Sequence, residues 1–217
     1  MVSQTQKNRV WLKVVFIALF AVTLTSLRII WIQAFDDPIE QDISKGALDL
    51  REWDFSESGP ITLTGEWEFY PYELLEDAPT NEEGKHIDVP GDWSEALNGD
   101  AGHPYGYGSY YLKIQVDPDI VTSYSMRIAS VRSASALYAN GLPVGSSGEV
   151  GKSEADSFAY NVPYSSTSIR PNEDGEIHLV LQVANYADPR ASGFVRAVKF
   201  GYEADVNKTT ELSSILQ

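Results

Sequence analysis

The chain contains no cysteine among its 217 residues. That removes disulfides, thiolate metal sites, a cysteine nucleophile and a lipid-bearing cysteine. Histidine is almost as scarce: His86, His103 and His178 are scattered, with no His-x-x-x-His pair or other compact ligand spacing. Gly-x-Ser-x-Gly is absent, so no nucleophile elbow is announced. Neither an internal repeat nor a low-complexity tract occurs. Positive charge is rare and unevenly placed. Residues 1–35 hold Lys7, Arg9, Lys13 and Arg28 and no acid, whereas residues 36–217 hold 12 basic and 31 acidic side chains, a net of −19. Such a surface repels phosphate backbones, which argues against nucleic acid as a partner. With 31 carboxylates, some pairs will fall near the ~5–10 Å separation of a glycosidase by chance, so proximity alone signals no catalysis.

One stretch imitates a nucleotide site. "GSSGEVGKS", Gly145–Ser153, ends like a phosphate loop. The loop requires a glycine five positions before Gly151, and Ser146 stands there, with Gly145 one residue too early. It also requires a strand before and a long helix after, to receive phosphate at the helix N-terminus. Asn140-Gly141, the strongest short hairpin signal, precedes it, with Leu142, Val144 and Ser146 as a return strand. Glu154–Phe158 has room for one helical turn only. The stretch therefore reads as a glycine-rich β connection, with Gly145, Gly148 and Gly151 as turn-formers and Lys152 as a surface cation.

The one long apolar run is N-terminal. Val14–Leu27 is uncharged, Arg28 interrupts, and the pattern continues to Phe35. The 22 residues of Val14–Phe35 would extend about 33 Å as a helix, enough for a hydrocarbon core of roughly 30 Å. Arg28 could snorkel near the outer end. The run alone also fits a signal-peptide core, but no small-x-small cleavage site follows, so an uncleaved anchor is favoured. Basic residues before the segment, and Asp36, Asp37 and Glu40 after it, place residues 1–13 in the cytoplasm and the main domain outside, in the cell membrane's extracytoplasmic space. ATP is scarce there, which further weakens the phosphate-loop reading.

Beyond a connector and first strand at 36–60, period-two alternation dominates. Ile61, Leu63, Gly65, Trp67 and Phe69 share one face, with Gly65 able to admit a close neighbouring strand. Tyr110, Leu112, Ile114 and Val116 repeat the pattern, as do Met126, Ile128 and Ser130. Phe158, Tyr160, Val162 and Tyr164 form a fourth set, and Ile177, Leu179, Leu181 and Val183 a fifth. Phe194, Val198, Phe200 and Tyr202 form a last, less regular set. Turn signals separate the sets, and Glu73–Asp77 reads as a short helical turn. Many short strands with little helical periodicity mean an all-β sandwich or jelly roll over 61–202, followed by a tail at 203–217.

Five motifs stand in order: "LTGEWEFY" (Leu63–Tyr70), "VPGDW" (Val89–Trp93), "GYGSYYLKI" (Gly106–Ile114), "ALYANGLPVG" (Ala136–Gly145) and "HLVLQVANY" (His178–Tyr186). This series resembles the galactose-binding-like jelly roll of the sugar-binding domain in family 2 glycoside hydrolases. It is more similar still to the extracellular jelly-roll sensor domain of bacterial seven-transmembrane receptors with diverse intracellular signalling modules. The resemblance covers about residues 43–203. It implies a galactose-binding-like β-sandwich, a downstream seven-helix membrane domain and a signalling module. The chain departs from that pattern by stopping at Gln217 with no further apolar span, so it reads as a receptor fragment or as a stand-alone anchored ectodomain. Some galactose-binding-like domains hold a structural calcium, but no compact Asp/Glu loop pattern identifies one.

Function follows as an expectation. In the hydrolases the acid and nucleophile sit in a separate barrel, so this domain reads as non-enzymatic and without a cofactor. A ligand, glycan or carboxylate, would meet loops at one end of the sandwich. Candidate contacts are Trp93, Tyr105, Tyr107, Arg132, Asn185 and Arg190: aromatic faces for a sugar's C–H face, Arg and Asn for hydroxyls or a carboxylate. Arg132 and Arg190 stand out because cations are scarce. Taken singly, each reads first as a surface or hydrogen-bonded loop residue, and Trp93 first as a cap on one end of the core. The alternatives are an accessory carbohydrate-binding domain of a cell-surface hydrolase and an interaction module without a small ligand.

Overall fold

The structure is a computed structural model and describes residues 4–35, 40–80, 84–129, 131–160, 162–166, 168–190, 193–196 and 198–208. Asp36, Asp37, Ser130 and the tail beyond residue 208 lie outside the described residues. The chain divides into two compact units, Met1–Pro38 and Ile39–Gln217.

The first unit is one helix, α1 (Gln4–Phe35). Its Trp11–Ile29 segment, 19 residues with mean hydropathy 2.0, is long and apolar enough to cross a membrane by length and composition. This window starts earlier than the uncharged run and takes in Lys13 and Arg28. Two hydroxyls inside it are satisfied by the helix itself: Thr23 Oγ1 donates to the Leu19 carbonyl at 2.9 Å and Thr25 Oγ1 to that of Ala21 at 2.8 Å. An apolar surrounding demands such internal pairing.

The second unit is mostly β-sheet, with short helices at Phe55–Ser58 and Ser94–Asn98 between its strands and a helical segment over 203–208. Its strands are β1 (Glu40–Ile43), β2 (Ala47–Asp49), β3 (Ile61–Pro71), β4 (Lys85–Val89), β5 (Gly106–Gln115) and β6 (Tyr124–Ile128). They continue with β7 (Ala134–Ala139), β8 (Leu142–Ser147), β9 (Tyr164–Ser165), β10 (Glu176–Asn185) and β11 (Val198–Tyr202). The strand order is β8-β7-β10-β5-β3-β11-β6-β9, with β1 and β4 added to β3 and β2 to β5. β3 belongs to both halves of the sandwich. Its first residues, Ile61–Leu63, pair with β11, and its last, Glu68–Pro71, pair with β5. Gly65 sits between these halves at φ +121°, and a Cβ there would stand 2.5 Å from the Ile43 carbonyl oxygen. Only glycine lets β1 lie so close, as the interrupted alternation suggested.

The alternating sets of β3, β5, β6, β10 and β11 meet in one core. Leu112, Ile114, Leu179 and Leu181 are buried with Met126, Ile128, Val198 and Phe200. Aromatic rings thicken both parts of it. Phe55, Tyr124 and Phe200 cluster in one, where Tyr124 stacks on Phe200 at 5.3 Å; Phe69, Trp93, Tyr110 and Phe194 cluster in the other.

Three local expectations change. Glu73–Asp77 forms no helical turn but an irregular segment laid over the outer face of β5 and β10. Its backbone partners are on the sheet: Leu75 N–H donates to Ser109 Oγ at 2.9 Å, and Gln182 Nε2 donates to the Leu75 carbonyl at 2.8 Å. Leu75 and, just beyond it, Ala78 pack with Tyr138 of β7 over buried Tyr70, Tyr111 and Val180. Gly145 is a strand residue of β8, not a turn-former; a side chain there would press on the Tyr164 ring. Of the fourth alternating set only Tyr164 enters a strand, while Phe158, Tyr160 and Val162 stay exposed.

Candidate functional site

The hairpin β7–β8 turns on Asn140-Gly141, both with positive φ (49° and 76°), the geometry of a type I′ turn. The glycine-rich connection after β8 then closes on itself. Glu149 and Phe158 exchange both backbone hydrogen bonds, at 2.7 and 2.9 Å. Gly148, at φ +90°, lies against this bridge, and Gly151 packs on the Asp156 carbonyl. One 3-10 turn, Glu154–Asp156, follows instead of a helix. The Glu149 N–H is consumed by the bridge, and no helix N-terminus faces the loop, so nothing here cradles phosphate.

The closed connection forms one wall of a cleft of ≈ 650 Å³. Glu154, Ser157 and Phe158 come from that wall; Arg132 precedes β7; Asn185, Tyr186, Asp188 and Arg190 come from the end of β10 and the turn after it. The register explains the convergence. Asn185 lies opposite Gly106 of β5, and Ala184 lies opposite Ala134 of β7, so all three segments end together.

Asp188 is the electrostatic centre. Arg190 grips it through Nε at 2.8 Å and Nη2 at 2.5 Å. The guanidinium hydrogen bonds of Arg190 first, then its backbone N–H and the nearby Arg132 charge, pull the Asp188 carboxyl down to about 2. The carboxylate is thus ionised at any physiological pH. Arg132 holds φ +54°, a left-handed conformation that is unusual for a residue with a side chain and is concentrated at functional sites. Tyr186 adds an aromatic edge, its phenol pushed up by burial and by neighbouring Tyr107 and Tyr72.

The six sequence candidates are distributed unequally. Arg132, Asn185 and Arg190 line the cleft together. Asn185 is 2 % exposed and acts as a pin. Its Nδ2 donates to the Pro104 and Asp188 carbonyls at 3.0 and 2.8 Å, and its Oδ1 accepts the Asp188 N–H at 3.0 Å. Tyr107 stands beside the cleft, packed edge-on against Tyr72 at 5.6 Å. Tyr105 is exposed on the preceding loop, where its carbonyl accepts from Asn98. Trp93 is fully buried, parallel to Tyr110 at 6.3 Å, with its Nε1 donating to the Pro104 carbonyl. It offers no face to a sugar and packs in the core, sharing the Pro104 carbonyl with Asn185. The sequence reading missed Phe158, Tyr186 and Asp188. Asp188-Pro-Arg190 carried a usable signal: an acid two residues before a rare cation. Among the described residues, no three His, Asp or Glu side chains are grouped to hold a metal ion.

No family model matches the chain, and no curated protein matches it. Solved structures do. A glycosyl hydrolase family 2 member from Bacteroides cellulosilyticus DSM 14838 superposes with a TM-score of 0.50 at 14% identity, over 65% of this chain and 20% of that one. A b-glucuronidase from Ruminococcus gnavus gives 0.49 at 14% identity, over 66% and 29%. A GH2 beta-galacturonidase from Eisenbergiella tayi gives 0.42 at 18% identity, over 66% and 24%. The likeness to the Bacteroides cellulosilyticus protein is one of fold alone, a β-sandwich. The chain spans less than a third of each of these proteins.

Proposed function

We propose that the chain is the extracytoplasmic ligand-binding part of a membrane-anchored bacterial signalling receptor, taking a carbohydrate or carboxylate in the Arg132–Asp188–Arg190 cleft. The observation that carries this reading is the convergence of two scarce cations, an ionised carboxylate and aromatic edges on one concave surface. That combination offers both donors and an acceptor to hydroxyls, with apolar surface for C–H faces. The arrangement suits binding better than catalysis. A carboxyl held near 2 is a poor general acid, and its two guanidinium neighbours stabilise charge rather than move protons. Helix α1, with basic residues before Trp11, supports an anchor with its N-terminus in the cytoplasm. The signal would pass to a seven-helix membrane domain and an intracellular module.

A second reading, an accessory carbohydrate-binding domain of a cell-surface hydrolase, draws on the fold likeness to a family 2 member. Titration calorimetry of the full chain in detergent micelles against glycan and carboxylate libraries tests the site. Binding that weakens at least tenfold in Arg132→Ala and Arg190→Ala is expected. Binding indifferent to both variants, or none at all, removes the site. The genomic sequence beyond codon 217 separates the two readings: seven apolar spans support the receptor, a barrel domain the hydrolase.

A further inference from the structure

The cleft does not end at Phe158. A second groove of ≈ 660 Å³, lined by Glu149, Glu154, Ala155, Asp156, Ser157, Phe158 and Tyr160, shares Glu154, Ser157 and Phe158 with it. Each volume lies within the ~300–1,000 Å³ of small-molecule sites. Two large rings line the second groove. Phe158 and Tyr160 remain 59% and 62% exposed, with centroids 5.2 Å apart and planes at 77°. A perpendicular pair makes a right-angled seat: one ring presents its face and the other a side wall to a single guest ring.

Hydrogen bonds anchor the chain on both sides of the two rings. The Glu149–Phe158 bridge holds one end of the segment. Ser157 Oγ donates to the Glu149 carbonyl at 3.3 Å, and the Val162 N–H donates to Ser147 Oγ at 3.0 Å. Preorganised aromatics that the core does not use lower the ordering cost of a guest. The charges of the two grooves differ. The cleft holds Arg132 and Arg190 beside its acids, whereas the described lining of the second groove holds Glu149, Glu154 and Asp156 and no cation. An anionic ring is accordingly disfavoured there, and hydroxyl donors are favoured.

We infer that the ligand is an oligosaccharide of at least two rings, one held in the cleft and the next, uncharged, seated on Phe158 and Tyr160. This rests on the cleft being a glycan site. The test uses the full chain in detergent micelles and a glycan array of neutral and uronic mono- to hexasaccharides, followed by titration of the best series. Affinity should rise about tenfold from one ring to two or three, the size of one good aromatic contact. Tyr160→Ala, at a ring that lines only the second groove, should erase most of that rise and leave monosaccharide affinity intact; the side chain is exposed, so the fold tolerates the change. Oligomers made wholly of uronic acid should gain nothing from length. Affinity independent of length, a rise that survives Tyr160→Ala, or an equal gain for uronic oligomers overturns the second seat while leaving the cleft standing. Absence of any glycan binding sinks both.

Discussion

Two neighbouring stretches exchange roles between sequence and structure. Gly145–Ser153 looks chemical, a near-copy of a phosphate loop, and is architectural: a strand end and a turn locked by the Glu149–Phe158 bridge. Phe158–Tyr164 looks architectural, a period-two strand, and three of its four alternating side chains, Phe158, Tyr160 and Val162, stand in solvent. The difference teaches what each signal measures. A glycine pattern reports backbone permissiveness, which a turn uses as readily as a phosphate. Alternation reports that side chains share a face, not that the face is covered.

The contrast is sharpest against a set with the same alternation that does enter the core. Phe200 is fully buried among Phe55 and Tyr124. Phe200→Ala should cost about 3–5 kcal/mol in urea unfolding, the range for deleting a buried ring. Phe158→Ala with Tyr160→Ala should stay within about 0.5 kcal/mol, as surface changes do. A loss of about 2 kcal/mol or more in the double variant would return that stretch to the core and remove the aromatic seat with it.

How much was legible follows from the same logic. The faces of β3, β5 and β10 were readable because each alternates over five or more residues and is covered by the other half of the sandwich. The burial of Tyr70, Tyr111 and Val180 was not, because it depends on the irregular segment fastened by Ser109 and Gln182, which no periodicity marks. In the cleft, Arg132 and Arg190 were visible through the scarcity of cations. Asn185 was picked as a ligand contact, yet its amide is engaged in holding the Pro104 and Asp188 backbone. Phe158 was hidden by its own alternation, and Asp188 by the abundance of acids around it.

The glycine stretch can be tested for the opposite outcome. A Cβ on Gly148 would stand 2.0 Å from the Phe158 carbonyl oxygen, at φ +90°. Gly148→Ala should therefore destabilise by about 2–4 kcal/mol, combining left-handed strain with overpacking against backbone. An effect under about 0.5 kcal/mol would mean the bridge is not the lock described. Lys152 is exposed beside it, and Lys152→Ala should change stability by less than about 0.5 kcal/mol. Titration with ATP and magnesium should give no heat with either form; saturable ATP binding lost in Lys152→Ala would restore the phosphate-loop reading.

The smallest expected effect lies on the cleft's opposite wall. If Phe158 supplies the apolar side, the polar side depends on Asp188 staying ionised between its guanidiniums. Its folded pKa of about 2 lies below an unfolded value of roughly 3.9. The sign follows: the pairing contributes fully above roughly pH 4 and is lost as pH falls through about 2, so the wall should be constant from neutrality to that limit. Carboxyl carbon shifts of Asp188, followed by NMR from pH 7 to 1.5, should show no transition near 4. Arg190→Ala should raise the midpoint more than Arg132→Ala, because hydrogen bonds from Arg190 dominate and Arg132 acts through charge alone. A wild-type midpoint near 4, or the reverse order of the two variants, would show that Asp188 is not the centre of the cleft. The cationic wall would then be two independent arginines, and carboxylate ligands would gain over neutral sugars.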